Sequence, residues 1–251
     1  MIVPCVCLPA LTRRLGQDHG QYIDVSNDVP NDEFWSGADD CRAPDSSGRL
    51  ASIHVGVGCE MFLKDLEAVL ENDAAARSYV ETLLFHQPLH AIWIHRIAHW
   101  LHARLRLPLL PRFLSAVAHF LTGVEIHPAA RIGVPFFIDH GSGVVIGETS
   151  EIGDRCVMFH NVTLGGTGKH GGKRHPSLGD DVFVGTGATL LGPITVGANA
   201  KIGAGAFIHM RDVPPNSTVV GVPARIVKRN GERVEEELAR TAEPKAEATD
   251  R

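Results

Sequence analysis

An apolar, usually branched residue recurs every six positions between Ile126 and Val220, and a glycine often follows it. Six is neither the 3.6-residue period of an α-helix nor the alternation of a single strand, so the pattern indicates a structural repeat. A six-residue unit with one inward aliphatic side chain describes one flat side of a triangular coil, and three such units make a turn of about eighteen residues. The sequence therefore predicts stacked coils of parallel strands with glycines at the corners. The repeat positions are Ile126, Ile132, Ile138 and Val144, then Ile146, Ile152, Met158 and Leu164, then Leu178, Val184, Leu190, Val196, Ile202 and Ile208, with Val220 in phase.

The six-residue register breaks at two places. The first break is a two-residue shift after Asp139 and His140. The second lies between Leu164 and Leu178, where the chain is polar and rich in glycine. We predict that residues 165–177 leave the coil as an external loop, and loops on rigid scaffolds often carry function.

The chain divides by composition into four segments. Residues 1–60 are rich in Asp, Gly, Ser, Asn and Pro without a sustained period, which predicts a disordered leader, with Met61 as the true or alternative start. Residues 61–121 have a helical pattern, and residues 122–227 carry the repeat. Residues 228–251 form a charged, alanine-rich tail, for which we expect a short helix followed by disorder. The predicted fold is α+β: an N-terminal α-helical domain that caps a left-handed parallel β-helix.

Composition excludes several classes of protein. With 24 basic and 29 acidic residues the net charge is −5, which gives no bias toward nucleic acid or membrane surfaces. No apolar run is long enough to cross a bilayer, and the five cysteines have no C-x-x-C spacing, so a cytoplasmic protein is expected. Histidines recur at helical spacing in the N-terminal segment, but a helix places positions i and i+4 together regardless, so no metal site is predicted. These histidines are His86, His90, His95, His99 and His102.

Six motifs of the chain resemble those of bacterial-type serine O-acetyltransferases, a family of hexapeptide-repeat acyltransferases. They are residues 123–128 (GVEIHP), 138–141 (IDHG), 144–149 (VVIGET), 162–168 (VTLGGTG), 173–176 (KRHP) and 221–225 (GVPAR). The resemblance covers about two thirds of the chain, from Met61 to about Val227. It implies a left-handed parallel β-helix, homotrimers that often pair as hexamers, and acetyl transfer from acetyl-CoA to the hydroxyl of L-serine, the entry step to cysteine.

That reaction needs a general base, because a serine hydroxyl is too weak an acid to attack a thioester unaided. Histidine has a suitable pKa, and by resemblance His140 takes the serine proton and returns it to the departing CoA thiolate. An imidazole in this role benefits from a carboxylate that holds its tautomer. Glu125 stands where the family commonly has aspartate; the alternative is an exposed acid at the domain junction.

Serine arrives as a zwitterion, so its pocket needs opposite charges at fixed positions. Arg174 can bind the carboxylate with two hydrogen bonds, and Asp139 and Asp73 can bind the ammonium group. Asp73 can also serve as the N-cap of a helix beginning at Ala74. His175 is inferred to fix the substrate or to polarise the thioester carbonyl. In the family these loop residues reach a site shared with a neighbouring subunit.

The resemblance also suggests where acetyl-CoA binds. Its pantetheine arm is expected along the outside of the coils between neighbouring subunits, and Lys201 is expected to reach the nucleotide phosphates. Small residues at the corners are equally required by the fold, so this assignment is less specific. The expected pantetheine contacts are Gly165, Gly166, Thr186 and Ala204.

Three other functions remain open from the sequence. An acetyltransferase for a sugar or for homoserine would keep the histidine base, and an inactive scaffolding paralogue would bind a partner enzyme. A metal-dependent hydratase would need a third histidine besides His140 and His175. Family members often bind cysteine synthase through a C-terminal isoleucine, whereas this chain ends in Thr249, Asp250 and Arg251. We therefore expect that complex to be absent or altered.

Overall fold

The computed structural model describes residues 53–106, 109–168 and 171–241. The predictions for residues 1–52 and for the end of the tail lie outside the described residues. The first helix begins at Ile53, upstream of Met61, so the prediction of disorder is wrong for residues 53–60.

The N-terminal region is helical, and local hydrogen bonds set the helix ends. The hydroxyl of Ser78 accepts from the backbone N–H of Glu81 at the start of the second helix, 3.2 Å away. Nδ1 of His86 accepts from the N–H of Leu89 at 3.2 Å and caps the third. The fourth ends at Gly123, whose φ of 72° suits a residue without Cβ. The helices are α1 (Ile53–Asn72), α2 (Tyr79–Phe85), α3 (Gln87–Leu105) and α4 (Leu110–Thr122).

Three sheets form the walls of the coil that follows. The first sheet joins, in order, β1 (Glu125–Ile126), β4 (Val145–Ile146), β7 (Thr163–Gly165), β10 (Thr189–Leu191) and β13 (Phe207–His209). The second joins β2 (Arg131–Ile132), β5 (Glu151–Ile152), β8 (Ser177–Leu178) and β11 (Thr195–Val196). The third joins β3 (Phe136–Ile138), β6 (Cys156–Met158), β9 (Phe183–Val184), β12 (Lys201–Ile202), β14 (Ser217–Gly221), β15 (Ala224–Arg229) and β16 (Glu232–Glu237). Strands of successive coils pair in parallel, so the prediction of helices followed by a parallel β-helix is confirmed.

The repeat positions form the core in columns, one for each wall. In the first sheet the aligned residues are Ile126, Ile146, Leu164, Leu190 and Ile208. All of them are buried. The last repeat position was assigned wrongly: Val219 pairs with Ile202 and is buried, whereas Val220 is 38% exposed. The coil that contains Pro214 and Pro215 is one residue shorter than the repeat, since Val196 bridges to Val213.

The pairing register shows where residues are inserted. Ile126 pairs with Ile146, a spacing of 20 residues, whereas Ile146 pairs with Leu164, a spacing of 18. Ile138 pairs with Met158 at the same spacing of 20. The two extra residues therefore lie between β3 and β4, in the corner that contains His140. The longer insertion lies between the end of β7 and the start of β8, as the sequence predicts.

The prediction of a helix in the C-terminal tail is wrong for its described part. The chain instead forms β15 and β16, which pair antiparallel across a turn at Asn230 and Gly231. Both turn residues have positive φ, 50° and 84°. An Asn-Gly pair in this conformation is the strongest short-range signal for a β-hairpin, and it outweighs the helical propensity of the flanking glutamates.

A buried ion pair joins the helices to the first coil. Arg96 on α3 binds both carboxylate oxygens of Asp65 on α1, at 3.0 and 3.1 Å. The same guanidinium donates to the carbonyls of Ile132 and Gly133, both at 2.7 Å. Asp65 also accepts from the N–H of Phe136 at 3.1 Å. The pair therefore fixes α1 and α3 against the coil that precedes the His140 corner.

Candidate functional site

A cleft opens where the helices meet the corner between β3 and β4. It has a volume of about 570 Å³ and is lined by residues from both regions. Its polar lining includes Asp73 after α1, His86 before α3, and Asp139 and His140 in the corner. Three of the sequence-predicted site residues therefore lie together, and His86 is a fourth group, which the sequence analysis considered only as a metal ligand.

His140 projects from the inserted corner into this cleft. Its φ is 59°, and the following Gly141 is also left-handed at 70°. An added Cβ at Gly141 would collide with Pro88 and Val124, so this corner packs tightly against α3. The His140 side chain is 75% exposed, and its Nε2 lies 3.9 Å from Oδ1 of Asp139. The base predicted from the sequence is thus accessible and adjacent to a carboxylate.

Asp73 is held by a turn. Its Oδ1 accepts from the backbone N–H of Ala75 at 2.8 Å. No helix begins at Ala74, because the chain turns there and α2 begins only at Tyr79. The predicted N-cap is therefore wrong, and the carboxylate instead caps a turn at the mouth of the cleft.

His86 links the two sides of the cleft. Its ring stacks on Phe137 with centroids 5.9 Å apart. Burial lowers the pKa of His86, although the carboxylates of Asp73 and Asp139 act in the opposite direction. Its Nδ1 accepts from a backbone N–H, so in the neutral ring the proton is on Nε2. The signal that could have revealed His86 is its position before Gln87 and Pro88, where a helix cap is needed.

Arg174 and His175 lie in the external loop and pack against the corner between β4 and β5. Arg174 forms an ion pair with Glu148. This hydrogen bond from Arg174 lowers the pKa of Glu148. His175 is only 9% exposed, and burial, followed by the charge of Arg174, lowers its pKa. Arg174 and His175 each contact a residue of the VVIGET motif, Glu148 and Thr149 respectively, to which the sequence assigned no role.

Glu125 is not paired with His140. It begins β1 beside Val145, and its side chain is exposed. Within the described parts of the chain its carboxylate makes no ion pair with a histidine, lysine or arginine. The carboxylate that does lie beside the His140 ring is that of Asp139, with Oδ1 3.9 Å from Nε2.

The predicted site residues occupy two different edges of the coil. The His140 edge, between the third and first sheets, contains residues 139–144, 159–162, 185–188 and 203–206. The His175 edge, between the first and second sheets, contains residues 147–150 and the loop that carries Arg174 and His175. One wall of the coil separates the edges, and six extended residues span about 20 Å. Within one chain, His140 and the loop residues are therefore kept apart.

The predicted acetyl-CoA contacts are divided between the same edges. Thr186 and Ala204 lie on the His140 edge, where the N–H of Gly205 donates to the carbonyl of Thr186 at 2.7 Å. Gly165 ends β7 and Gly166 follows it on the His175 edge. Lys201 begins β12 on the third sheet. An added Cβ at Gly187 or Gly205 would meet nothing within 4 Å, so the His140 edge is open beside Thr186 and Ala204.

The described residues lack two features. No helix there combines the length and apolar character needed to cross a membrane. No three His, Cys, Asp or Glu side chains in those residues come together in an arrangement that could bind a metal ion.

Comparisons with known proteins identify the family. A family profile described as "Bacterial transferase hexapeptide (six repeats)" matches residues 175–209, which agrees with a left-handed β-helix. The serine acetyltransferase of Bacillus pumilus (strain SAFR-032) is 56% identical over 179 residues, which is 71% of this chain and 82% of the relative. That of Bacillus subtilis (strain 168) is 55% identical over 178 residues, with coverage of 71% and 81%. The crystal structure of Neisseria gonorrhoeae serine acetyltransferase in complex with serine matches with a TM-score of 0.64 and 44% identity, over 68% of this chain and 69% of that one. This chain belongs to the serine acetyltransferase family.

Proposed function

We propose that this protein transfers the acetyl group of acetyl-CoA to the hydroxyl of L-serine, giving O-acetyl-L-serine and CoA, the first step of cysteine biosynthesis. The main support for this proposal is the cleft, where the exposed imidazole of His140 lies beside the carboxylates of Asp73 and Asp139. A solved relative in complex with serine adds support.

His140 acts as the general base. As the serine oxygen attacks the thioester carbonyl carbon, Nε2 of His140 takes the hydroxyl proton. When the carbon–sulfur bond breaks, the same imidazolium returns the proton to the CoA thiolate. Asp139, with Oδ1 3.9 Å from Nε2, stabilises the imidazolium between these two transfers.

Charged groups orient the amino acid. The ammonium group lies between the carboxylates of Asp73 and Asp139, which line the same cleft. Arg174 binds the serine carboxylate, and Glu148 orients its guanidinium through the ion pair. A guanidinium has five N–H donors, so the groups not used by Glu148 remain for the substrate.

The active site is completed between neighbouring copies of the chain. His140 and Arg174 are on different edges of one coil, so a single chain does not bring both to one serine molecule. A ring of three copies related by threefold symmetry repeats one head-to-tail interface, and we assign to that interface the His140 edge of one copy and the His175 edge of the next. We therefore infer a homotrimer, or a dimer of trimers.

Acetyl-CoA binds in the groove between those two edges. The open backbone beside Thr186 and Ala204 forms one side, and Gly165 and Gly166 of the adjacent copy form the other. The bound thioester supplies the electrophilic carbonyl carbon. Lys201 is the candidate for the nucleotide phosphates, since an ammonium group binds phosphate as a point charge.

The test is acceptor-dependent release of the CoA thiol from acetyl-CoA with L-serine, L-homoserine or a galactoside. We expect turnover with L-serine, and a decrease in kcat of about two to four orders of magnitude in His140→Ala, the usual contribution of a general base. The exposed helical residue His119 provides the control His119→Ala, which should keep the wild-type rate. Equal rates with all three acceptors would contradict the proposal.

A further inference from the structure

The hydroxyl of Thr149 is at the centre of the contacts that hold the external loop. It accepts from the backbone N–H groups of Arg174 and His175, both at 3.0 Å. It also lies 2.9 Å from Nδ1 of the His175 ring. A hydroxyl oxygen has two lone pairs and one proton. The two backbone donors occupy the lone pairs, so the proton is directed to Nδ1.

A second donor from the same residue reaches the same ring nitrogen. The backbone N–H of Thr149 lies 3.2 Å from Nδ1 of His175. A proton on Nδ1 would oppose both donors of Thr149. Nδ1 of His175 is therefore an acceptor, and in the neutral ring the proton is on Nε2.

The other side of the ring faces backbone that has no side chain. An added Cβ at Gly147 would overlap the imidazole, and one at Gly166 would lie 3.2 Å from Nε2. Among the residues that the structure describes, Nε2 of His175 has no hydrogen-bond acceptor. The Nε2–H group is thus a donor without an internal partner, held beside the predicted pantetheine contact Gly166.

We propose that Thr149 is a positioning residue that holds His175 in its Nε2–H tautomer, so that His175 acts in acetyl transfer as a hydrogen-bond donor and not as a base. This inference rests on the proposed function. It assigns to Nε2–H the oxygen of the thioester carbonyl, which becomes negatively charged when serine attacks, and a fixed donor is most effective there. No proton leaves His175 during the reaction.

The test compares Thr149→Val, which keeps the shape but removes the hydroxyl, with Thr149→Ser, which keeps the hydroxyl. We expect kcat to fall about tenfold or more in Thr149→Val, because at least one hydrogen bond that orients the donor is lost. KM for L-serine and for acetyl-CoA should change less than kcat, and Thr149→Ser should remain near the wild-type rate. A wild-type kcat in Thr149→Val would overturn the inference.

Nitrogen-15 spectra of histidine-labelled wild-type protein test the tautomer without reference to activity. The His175 signal, identified by its loss in His175→Asn, should show an unprotonated Nδ1 and a protonated Nε2. A protonated Nδ1 would overturn the inference even if the enzyme acetylates serine. Conversely, the expected tautomer in a protein that does not acetylate serine would locate the failure in the proposed function. The spectra also decide the matter if Thr149→Val does not fold.

Discussion

The burial of His95 makes the stability of the folded protein depend on pH. It is only 5% exposed on α3, and its Nδ1 has no hydrogen-bond partner among the described residues. Burial, followed by the nearby His99 and Arg96, lowers its pKa from 6.5 to about 3. The folded protein therefore keeps His95 neutral at pH values where the unfolded chain protonates it.

This difference predicts acid destabilisation. Between pH 6.5 and about 3 the unfolded state binds a proton at His95 that the folded state does not bind, so the free energy of unfolding falls as the pH falls. The slope from this residue approaches about 1.4 kcal/mol per pH unit. We expect His95→Gln to make the pH dependence shallower by about one proton, measured by urea unfolding at fixed protein concentration.

His119→Gln, at an exposed position of α4, is the matched control, because it makes the same substitution outside the core. An unchanged slope in His95→Gln would show that the folded protein protonates His95 as readily as the unfolded chain does. The absolute stability of either variant does not affect this comparison.

Among individual residues, the sequence identified the functional side chains of the cleft more successfully than the residues that hold functional side chains in place. His140, Asp139 and Asp73 share a cleft as their assigned roles require. Their roles were assigned from the resemblance to the family, and a break in the repeat also marked Asp139 and His140. Thr149 was not found, because its role depends on contacts with a loop 25 and 26 residues away, and spacing does not encode such contacts.

The most important contact between secondary-structure elements is the buried ion pair of Asp65 and Arg96, which joins α1 and α3 to the coil. Both side chains are almost fully buried, at 0% and 6% exposure, and each makes further hydrogen bonds to backbone. Removing one partner from such a pair leaves an uncompensated buried charge, which costs more than the pair itself contributes.

We therefore expect Asp65→Ala to lower the free energy of unfolding by about 3 to 5 kcal/mol. An exposed pair provides the comparison: Arg131 lies 3.6 Å from Glu151, with side chains 77% and 48% exposed. Arg131→Ala should cost no more than about 1 kcal/mol. Denaturant unfolding measures both variants, and equal effects would show that burial of the Asp65 pair has no energetic weight.

Secondary-structure elements that follow the six-residue period could be predicted from the sequence. An element whose formation depends on a single turn was harder to predict. Six-residue spacing gave the columns of the core, because each inward position occurs many times in the sequence. The β15–β16 hairpin was missed, because it depends on two residues, Asn230 and Gly231, within a charged segment that resembles a helix. Val220 was wrongly predicted as an inward position for a similar, local reason. One coil is a residue shorter than the repeat, so Val219 is the inward residue.

In the whole molecule, the residues proposed for catalysis and for substrate binding lie on two different edges of the coil. The proposed base and the proposed carboxylate-binding arginine are on different edges, so the account requires more than one copy of the chain. Apolar side chains also remain exposed on the helices, including Phe85, Phe113 and Phe120 at 75%, 64% and 87%.

A shared site makes a prediction about mixtures. His140→Ala and Arg174→Ala should each be nearly inactive alone, because every site in either homotrimer lacks one essential residue. In a trimer that contains both kinds of chain, one of the three interfaces joins an intact His140 edge to an intact His175 edge.

The most direct test is therefore serine-dependent CoA release by mixed trimers, isolated through different affinity tags on His140→Ala and Arg174→Ala chains. The account predicts recovery of about one third of wild-type activity, the fraction of sites with both residues intact in such a ring. Mixed trimers as inactive as their parents would contradict a site formed between neighbouring copies.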